Sequence, residues 1–192
     1  MTQSLNSLAR NRLKIRYGIK NHNKLQSLFY SLYKLYYSST GNLHNLPNYL
    51  IIGAAKCGTS SLYEYLTQHP NINPALGKEI NFFDMHYSKG INWYRSYFPF
   101  KNFFTKKNSI TGEATPRYLD YPHAPKRVFD LIPSVKIIVL LRNPVDRAYS
   151  HWNMMVAHKR EDLSFSEAIE NEKSRISDFF EQMQNNKEYY SK

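Results

Sequence analysis

The chain has 192 residues, 42% of them hydrophobic and 15% aromatic, which is typical of one globular domain with a sizeable core. Its formal net charge is +11, from 26 basic and 15 acidic side chains. The single cysteine excludes an internal disulfide, and no apolar run reaches the ~18 residues that a membrane-spanning helix needs. The lone cysteine and the scattered histidines predict no metal site.

The first 46 residues form a strongly basic extension, and we predict that the main domain occupies residues 47–192. No acidic residue precedes Glu64. Apolar residues at helical spacing predict a helix in the extension: Leu25, Leu28, Phe29, Leu32, Leu35 and Tyr36. Three interpretations stay open, of which we favour packing on the domain; the others are peripheral contact with an anionic membrane and binding of an anionic acceptor. No nucleic-acid-binding module is recognisable, so we expect no nucleic-acid partner.

An apolar run followed by a turn of small residues predicts an anion-binding loop. The run indicates a buried strand over 48–53, and apolar residues at helical spacing predict a helix over 59–68. The turn between them brings free backbone N–H groups and the positive end of the helix dipole to one point. We predict ligand contacts from the turn and the first helical residues: Lys56, Cys57, Gly58, Thr59, Ser60 and Ser61.

The order of residues in this turn differs from that of the nucleotide triphosphate loop. That loop has Gly-x-x-x-x-Gly-Lys-Ser/Thr, whereas Lys56 precedes Gly58 by two positions. The other interpretation is an ordinary strand-to-helix turn with a solvated lysine. Cys57 lies near a helix N-terminus, but we interpret it as filling a position that needs a small residue.

The next part of the chain predicts short, alternating elements. They are a strand near 79–83, a helix over 90–97, a strand near 109–113 and a helix over 123–131. Glu79 lies in the first of them. Composition alone predicts only a solvated carboxylate there.

A second apolar run predicts a strand over 135–141 that is covered on both faces of a parallel sheet. Arg142 follows at its carboxyl end, where open α/β sheets bind ligands. Asn143 is a good N-cap for a helix over 144–158, and that helix carries Ser150.

Further helices are predicted from residue 165 onward. Strands thus alternate with helices along the whole domain. This order predicts the α/β class, with three layers: a central parallel sheet and helices on both of its faces.

The two anion motifs together resemble those of sulfotransferases that use 3′-phosphoadenosine-5′-phosphosulfate (PAPS) as donor. Residues 56–60 are similar to their 5′-phosphosulfate loop, and residues 142–150 match their pattern Arg-(Asn/Asp)-Pro-x-x-Arg-x-x-Ser. The resemblance implies that Arg142 and Ser150 bind the 3′-phosphate, for which a guanidinium is well suited. It also implies the P-loop NTPase-like sulfotransferase fold.

Two stretches between these motifs resemble the polysaccharide-type branch, which contains the heparan sulfate enzymes. Residues 77–84 are similar to its Lys-Glu-x-x-Phe-Phe stretch, and residues 89–95 to the Lys-Gly-x-x-Trp-Tyr stretch that follows. The resemblance implies that Glu79 is the general base that takes a proton from an acceptor hydroxyl or amine. A carbohydrate is one candidate acceptor, since members of the family sulfate sugars, lipids, proteins and small molecules. Lys56 would neutralise charge on the departing phosphate oxygen.

Two positions depart from the pattern of that branch. Asn81 stands where the branch often has histidine, and Ala114 stands where its Glu-Lys-Ser-Pro stretch has lysine. Asparagine orients groups by hydrogen bonds but transfers no proton at pH 7. These departures favour a bacterial subgroup, with His86 as a candidate replacement acid or base.

The resemblance spans about residues 47–160, and the family continues further. We therefore expect a C-terminally truncated member. Because the N-terminus lacks the apolar anchor of the animal Golgi enzymes, we expect a cytoplasmic enzyme. Two alternatives stay open: a nucleotide kinase of the same fold type, and a non-catalytic module that binds anions or nucleotides.

Overall fold

A computed structural model describes residues 24–101 and 109–177. Its centre is a parallel sheet of four strands in the order β2-β3-β1-β4. The strands are β1 (Tyr49–Gly53), β2 (Ile72–Pro74), β3 (Ile110–Ala114) and β4 (Lys136–Val139). The helices that accompany them in the described residues are α1 (Lys24–Thr40), α2 (Thr59–Thr67), α3 (Ile91–Arg95), α4 (Ala124–Leu131), α5 (Pro144–Ala157) and α6 (Phe165–Glu170). The predicted α/β class with a central parallel sheet is confirmed.

Two apolar cores lie on the two faces of β1, because neighbouring side chains of a strand point in opposite directions. On one face, Leu50 belongs to a large core that includes Tyr94 of α3 and Val128 of α4. On the other face, Ile51 packs with Tyr63 of α2. The central strand is therefore covered by helices on both sides, as its uninterrupted apolar run predicted.

The prediction of a strand near 79–83 is wrong. The strand that pairs with the outer side of β3 is β2, which was not predicted. The backbone at Glu79 and Asn81 has φ values of 55° and 54°. These are left-handed conformations, which cannot continue a strand. The segment is a tight loop whose phenylalanines point into the core, so it has an apolar pattern without strand geometry.

The prediction that the strand at 135–141 is covered on both faces is also wrong. In the described residues, β4 pairs with β1 alone and forms an edge of the sheet. Ile137 is 47% exposed and Val139 is 44% exposed. The apolar sequence of β4 thus resembles that of β1, although its burial does not.

The basic extension contributes α1, which packs against the domain as we favoured. Tyr37 is buried in the large core, and the hydroxyl of Tyr33 lies 3.2 Å from Ser96 Oγ. Leu32 and Leu35, which we placed on the apolar face, are exposed. The cations of the extension before residue 24 lie outside the described residues: Arg10, Arg12, Lys14, Arg16 and Lys20.

Candidate active site

The predicted anion loop connects the carboxyl end of β1 with the N-terminus of α2. Gly58 is the N-cap of α2, with φ 87° and ψ 15°, a conformation that glycine adopts without strain. As a glycine it has no side chain to cap the helix, so the first backbone N–H groups of α2 are available to an anion. Thr59 is buried, whereas the side chains of Ser60 and Ser61 are exposed beside them.

The second anion motif lies directly beside this loop. Ala54 N–H donates to Leu140 O at 2.7 Å, and Leu140 N–H donates to Gly53 O at 2.8 Å. These two hydrogen bonds join the start of the anion loop to the segment that leads into Arg142. The two motifs, some ninety residues apart in sequence, are thus neighbours at the carboxyl edge of the sheet.

The helix that follows Arg142 begins as its sequence predicts. Asn143 Oδ1 accepts hydrogen bonds from Val145 N–H at 3.0 Å and Asp146 N–H at 3.4 Å. Ser150, two turns into α5, is half-buried, and Arg142 is exposed at the strand end.

The electrostatics of α5 also connect it with the anion loop. Burial lowers the pKa of His151, and the positive charges of Arg147 and then Lys56 lower it further. Lys56 is therefore close enough to the middle of α5 for its charge to act there. One cation of each motif, Arg147 and Lys56, therefore acts on the same histidine.

Glu79 lies on a third segment, in addition to the anion loop and the segment that carries Arg142. Its backbone N–H donates to Ala114 O at 2.9 Å, which ties the loop to the carboxyl end of β3. Its carboxylate is 45% exposed and lies 3.4 Å from Lys78 Nζ. The ammonium of Lys78 in turn donates a hydrogen bond to Ser60 Oγ, in the first turn of α2. Lys78 therefore joins the candidate base to the anion loop.

Sequence reasoning missed Lys78, although it directly precedes Glu79 in the stretch that resembles the polysaccharide branch. It also missed Glu113, a completely buried carboxylate within the stretch that carries Ala114. Ala114 is itself completely buried, in the core that contains Ile51 and Tyr63. The signal available for Glu113 was weak, because a glutamate at a strand end is normally solvated.

The side chains of two other candidates from the sequence, His86 and Cys57, make packing contacts with neighbouring residues. The ring of His86 packs edge-on against Trp93, with 5.1 Å between centroids. The thiol of Cys57 is half-buried, 3.8 Å from Ala55 O, as expected for a residue that fills a small space. No group of side chains suited to a metal ion occurs within residues 24–101 and 109–177.

Comparison with known proteins identifies the family. Residues 46–192 match the model of the sulfotransferase domain. The chain belongs to the sulfotransferase family. A crystal structure of a sulfotransferase from Alicyclobacillus acidocaldarius is 37% identical and superposes with a TM-score of 0.56, over 77% of this chain and 64% of that one. The predicted sulfotransferase fold is thereby confirmed.

Curated relatives match over a shorter part. The membrane-associated sulfotransferase kil1 of Dictyostelium discoideum is 38% identical over 117 residues, which are 60% of this chain and 24% of the relative. The human heparan sulfate glucosamine 3-O-sulfotransferase 6 is 44% identical over 106 residues, 55% of this chain and 30% of the relative. The sulfotransferase chain described here thus spans less than a third of the length of these two relatives.

Proposed function

We propose that this chain is the donor-binding part of a sulfotransferase that moves a sulfuryl group from PAPS to a hydroxyl or amine. The observation that carries the proposal is the meeting of three segments at one edge of the sheet. Backbone hydrogen bonds link the anion loop to the Arg142 segment and the Glu79 loop to β3, and Lys78 joins Glu79 to Ser60. Anion-binding groups and a proton acceptor are thereby adjacent.

Each residue in this arrangement has a distinct role in the proposal. The N-terminus of α2, with Cys57 to Ser61 and Lys56, binds the 5′-phosphosulfate end, because helix N–H groups and a cation favour an anion. Arg142 and Ser150 bind the 3′-phosphate. PAPS supplies a sulfuryl group whose bond to the 5′-phosphate breaks as the acceptor oxygen or nitrogen bonds to sulfur. Glu79 takes the acceptor's proton, and Lys56 stabilises the charge left on the phosphate.

The acceptor is proposed to be a carbohydrate. Relatives named for heparan sulfate are among the similar proteins, at 44% identity over 106 residues and 39% identity over 134 residues. The half-exposed carboxylate of Glu79 is compatible with an acceptor that approaches from solvent. The reaction as proposed requires no metal ion.

A second function, anion binding without turnover, is favoured by one observation. Ala114 is buried, and no lysine of β3 replaces the cation that the animal enzymes have at this position. Lys78 supplies a cation nearby, at Ser60, and this contact favours the enzyme. The two functions differ in one measurable property, which is sulfate transfer.

Cellular location and membrane contact stay predictions. Among the described residues, no helix is both long and apolar enough to cross a membrane. The exposed Leu32 and Leu35 of α1, together with the cations that precede the helix in sequence, support the proposal of a peripheral contact with anionic lipid.

The first test is calorimetry with 3′,5′-adenosine bisphosphate, compared with ATP and AMP. The bisphosphate carries both phosphates that the two motifs would bind, so it should bind most tightly. At a hundred times its dissociation constant it should add about 2.7 kcal/mol to the free energy of unfolding. Equal stabilisation by ATP would indicate a nucleotide kinase instead.

The second test is Glu79→Gln, assayed with labelled PAPS and a panel of hydroxyl and amine acceptors. The amide keeps the size of the side chain but accepts no proton, so transfer should fall by about 10²–10⁴-fold while bisphosphate binding is kept. Glu64→Gln, at an exposed carboxylate on α2, is the control. Parental turnover in Glu79→Gln would remove Glu79 from the mechanism. Bisphosphate binding without transfer to any acceptor by the parent would support the binding module.

A further inference from the structure

A buried polar network surrounds Glu113, which no proposed step uses. Its side chain is completely buried, and three hydroxyl groups donate hydrogen bonds to its carboxylate. Tyr94 OH lies 2.6 Å and Tyr118 OH 3.1 Å from Oε1, while Thr115 Oγ1 lies 2.7 Å from Oε2. These four residues are called the Glu113 network below.

Two of the three hydroxyls extend the network to the loop that carries Glu79. Tyr118 OH accepts a hydrogen bond from Phe82 N–H at 2.8 Å, and Thr115 Oγ1 accepts one from Asn81 N–H at 3.5 Å. A hydroxyl has one hydrogen to donate. Because that hydrogen is directed to the carboxylate, the oxygen is left to accept from the loop amides.

The loop needs such support, since its backbone conformation is unfavourable. Glu79 and Asn81 both have positive φ, although neither is glycine. Such conformations persist only where the surroundings enforce them. The acceptors for three loop amides come from one short stretch, since Glu79 N–H donates to Ala114 O, which lies between Glu113 and Thr115.

We propose that Glu113 is a positioning residue, which holds the Glu79 loop in its left-handed conformation through the hydroxyls of Tyr118 and Thr115. The catalytic consequence rests on the proposed function, since it requires Glu79 to be the base. Glu113 touches no substrate in this proposal. It acts through the backbone of residues 81 and 82, which fixes where the half-exposed carboxylate of Glu79 lies.

The charge state of Glu113 agrees with this role. Burial raises its pKa to about 7, while the hydrogen bonds from Tyr94, Thr115 and Tyr118 oppose that rise and the negative charge of Asp84 adds to it. No cation forms an ion pair with Glu113 among the residues that the structure covers. The carboxylate therefore depends on hydroxyl donors, and the experiments belong at about pH 8, where it is mostly ionised.

Two tyrosines provide a matched pair of variants, because both donate to the same oxygen of Glu113. Tyr118 OH also accepts a hydrogen bond from a loop amide, that of Phe82. Tyr94 OH donates to Glu113 and makes no such contact with the loop. Tyr118→Phe removes the connection to the loop, and Tyr94→Phe removes an equally buried hydroxyl without it. Amide hydrogen exchange of Phe82, measured by NMR, reports on the loop directly and needs no enzymatic activity.

We expect exchange at Phe82 to be at least about tenfold faster in Tyr118→Phe than in Tyr94→Phe, since a buried amide loses its acceptor. The amide of Lys136 on β4 donates to Asn48 O beside β1, and it is the internal reference for overall stability. Glu113→Gln should also speed exchange at Asn81 and Phe82, and it serves if Tyr118→Phe does not fold. Equal exchange in the two tyrosine variants, or a protected loop in Glu113→Gln, would overturn the proposal.

Sulfate transfer separates this proposal from the proposed function. If the parent is active, Tyr118→Phe should lower kcat about tenfold or more with little change in the KM for PAPS. When Glu79→Gln is already present, adding Tyr118→Phe should lower kcat little further. If the loop loosens but kcat is unchanged, the positioning role is wrong. If the parent transfers no sulfate, the proposed function fails, while hydrogen exchange still decides whether Glu113 holds the loop.

Discussion

The ion pair between Asp84 and Arg117 leads to a prediction whose size follows from the structure. The side chain of Asp84 is completely buried, and its Oδ2 lies 3.3 Å from Arg117 Nε. Burial raises the pKa of Asp84, and the charge of Arg117 opposes the rise. Arg117→Met would leave the buried carboxylate without its ion-pair partner.

The expected loss of stability combines attraction with solvent screening. At 3.3 Å, two unit charges attract by about 5 kcal/mol at an effective dielectric constant of about 20. Since Arg117 is 37% exposed, water replaces part of this attraction, and we expect Arg117→Met to lower the free energy of unfolding by about 2–3 kcal/mol near pH 8.

The loss should depend on pH in a defined direction. Without Arg117, the pKa of Asp84 in the folded protein rises further above its unfolded value. The folded state then binds the proton more tightly, so the variant regains stability as the pH falls and Asp84 becomes protonated. The destabilisation should therefore be larger at about pH 8 than at about pH 5.

Urea unfolding of the parent and of Arg117→Met at both pH values measures this effect. Asp84→Asn combined with Arg117→Met should recover much of the loss, because no buried charge remains. Lys126→Met is the control, since Lys126 and Asp130 form an exposed ion pair at 2.7 Å that should contribute little. An equal loss at both pH values, or one no larger than that of the control, would refute the reasoning.

Three further predictions concern the donor site and the sheet. Arg142→Ala should weaken the binding of 3′,5′-adenosine bisphosphate by about 1.5–3 kcal/mol, measured by calorimetry. The binding of AMP should be unchanged, because AMP has no 3′-phosphate. Lys78→Met removes the cation that contacts Ser60, so the affinities for the bisphosphate and for AMP should fall by a similar factor in the same titrations. Gly112→Ala should lower the free energy of unfolding by about 1–3 kcal/mol in urea, because the new Cβ would lie 2.5 Å from Tyr49 O.

Each of these predictions has its own control. Arg160→Ala, at an exposed arginine beyond α5, should leave both nucleotides unaffected. Lys126→Met is the control for Lys78→Met, and Gly77→Ala for Gly112→Ala, since a Cβ at Gly77 meets nothing within 4 Å. A loss of AMP affinity in Arg142→Ala equal to that of the bisphosphate would remove Arg142 from the 3′ site. Unchanged stability of Gly112→Ala would show that β1 and β3 separate easily.

The sequence by itself determined the features that depend on neighbouring residues. The run at 49–52 and the glycine at 58 were enough to predict β1, the turn that follows it and the start of α2. Asn143 and the proline after it predicted the beginning of α5. Strand pattern, helix caps and left-handed glycines act over a few residues, so a linear reading captures them.

Only the tertiary structure decided the features that depend on distant parts of the chain. Residues 79–83 have a strand-like pattern, but their contacts with Ala114, Thr115 and Tyr118 select a left-handed loop instead. Likewise, β1 and β4 are both apolar, and their positions in the sheet make one central and the other an edge. Hydrogen bonds and burial contributed by residues distant in sequence outweigh local preference, which is why neither outcome follows from the local pattern.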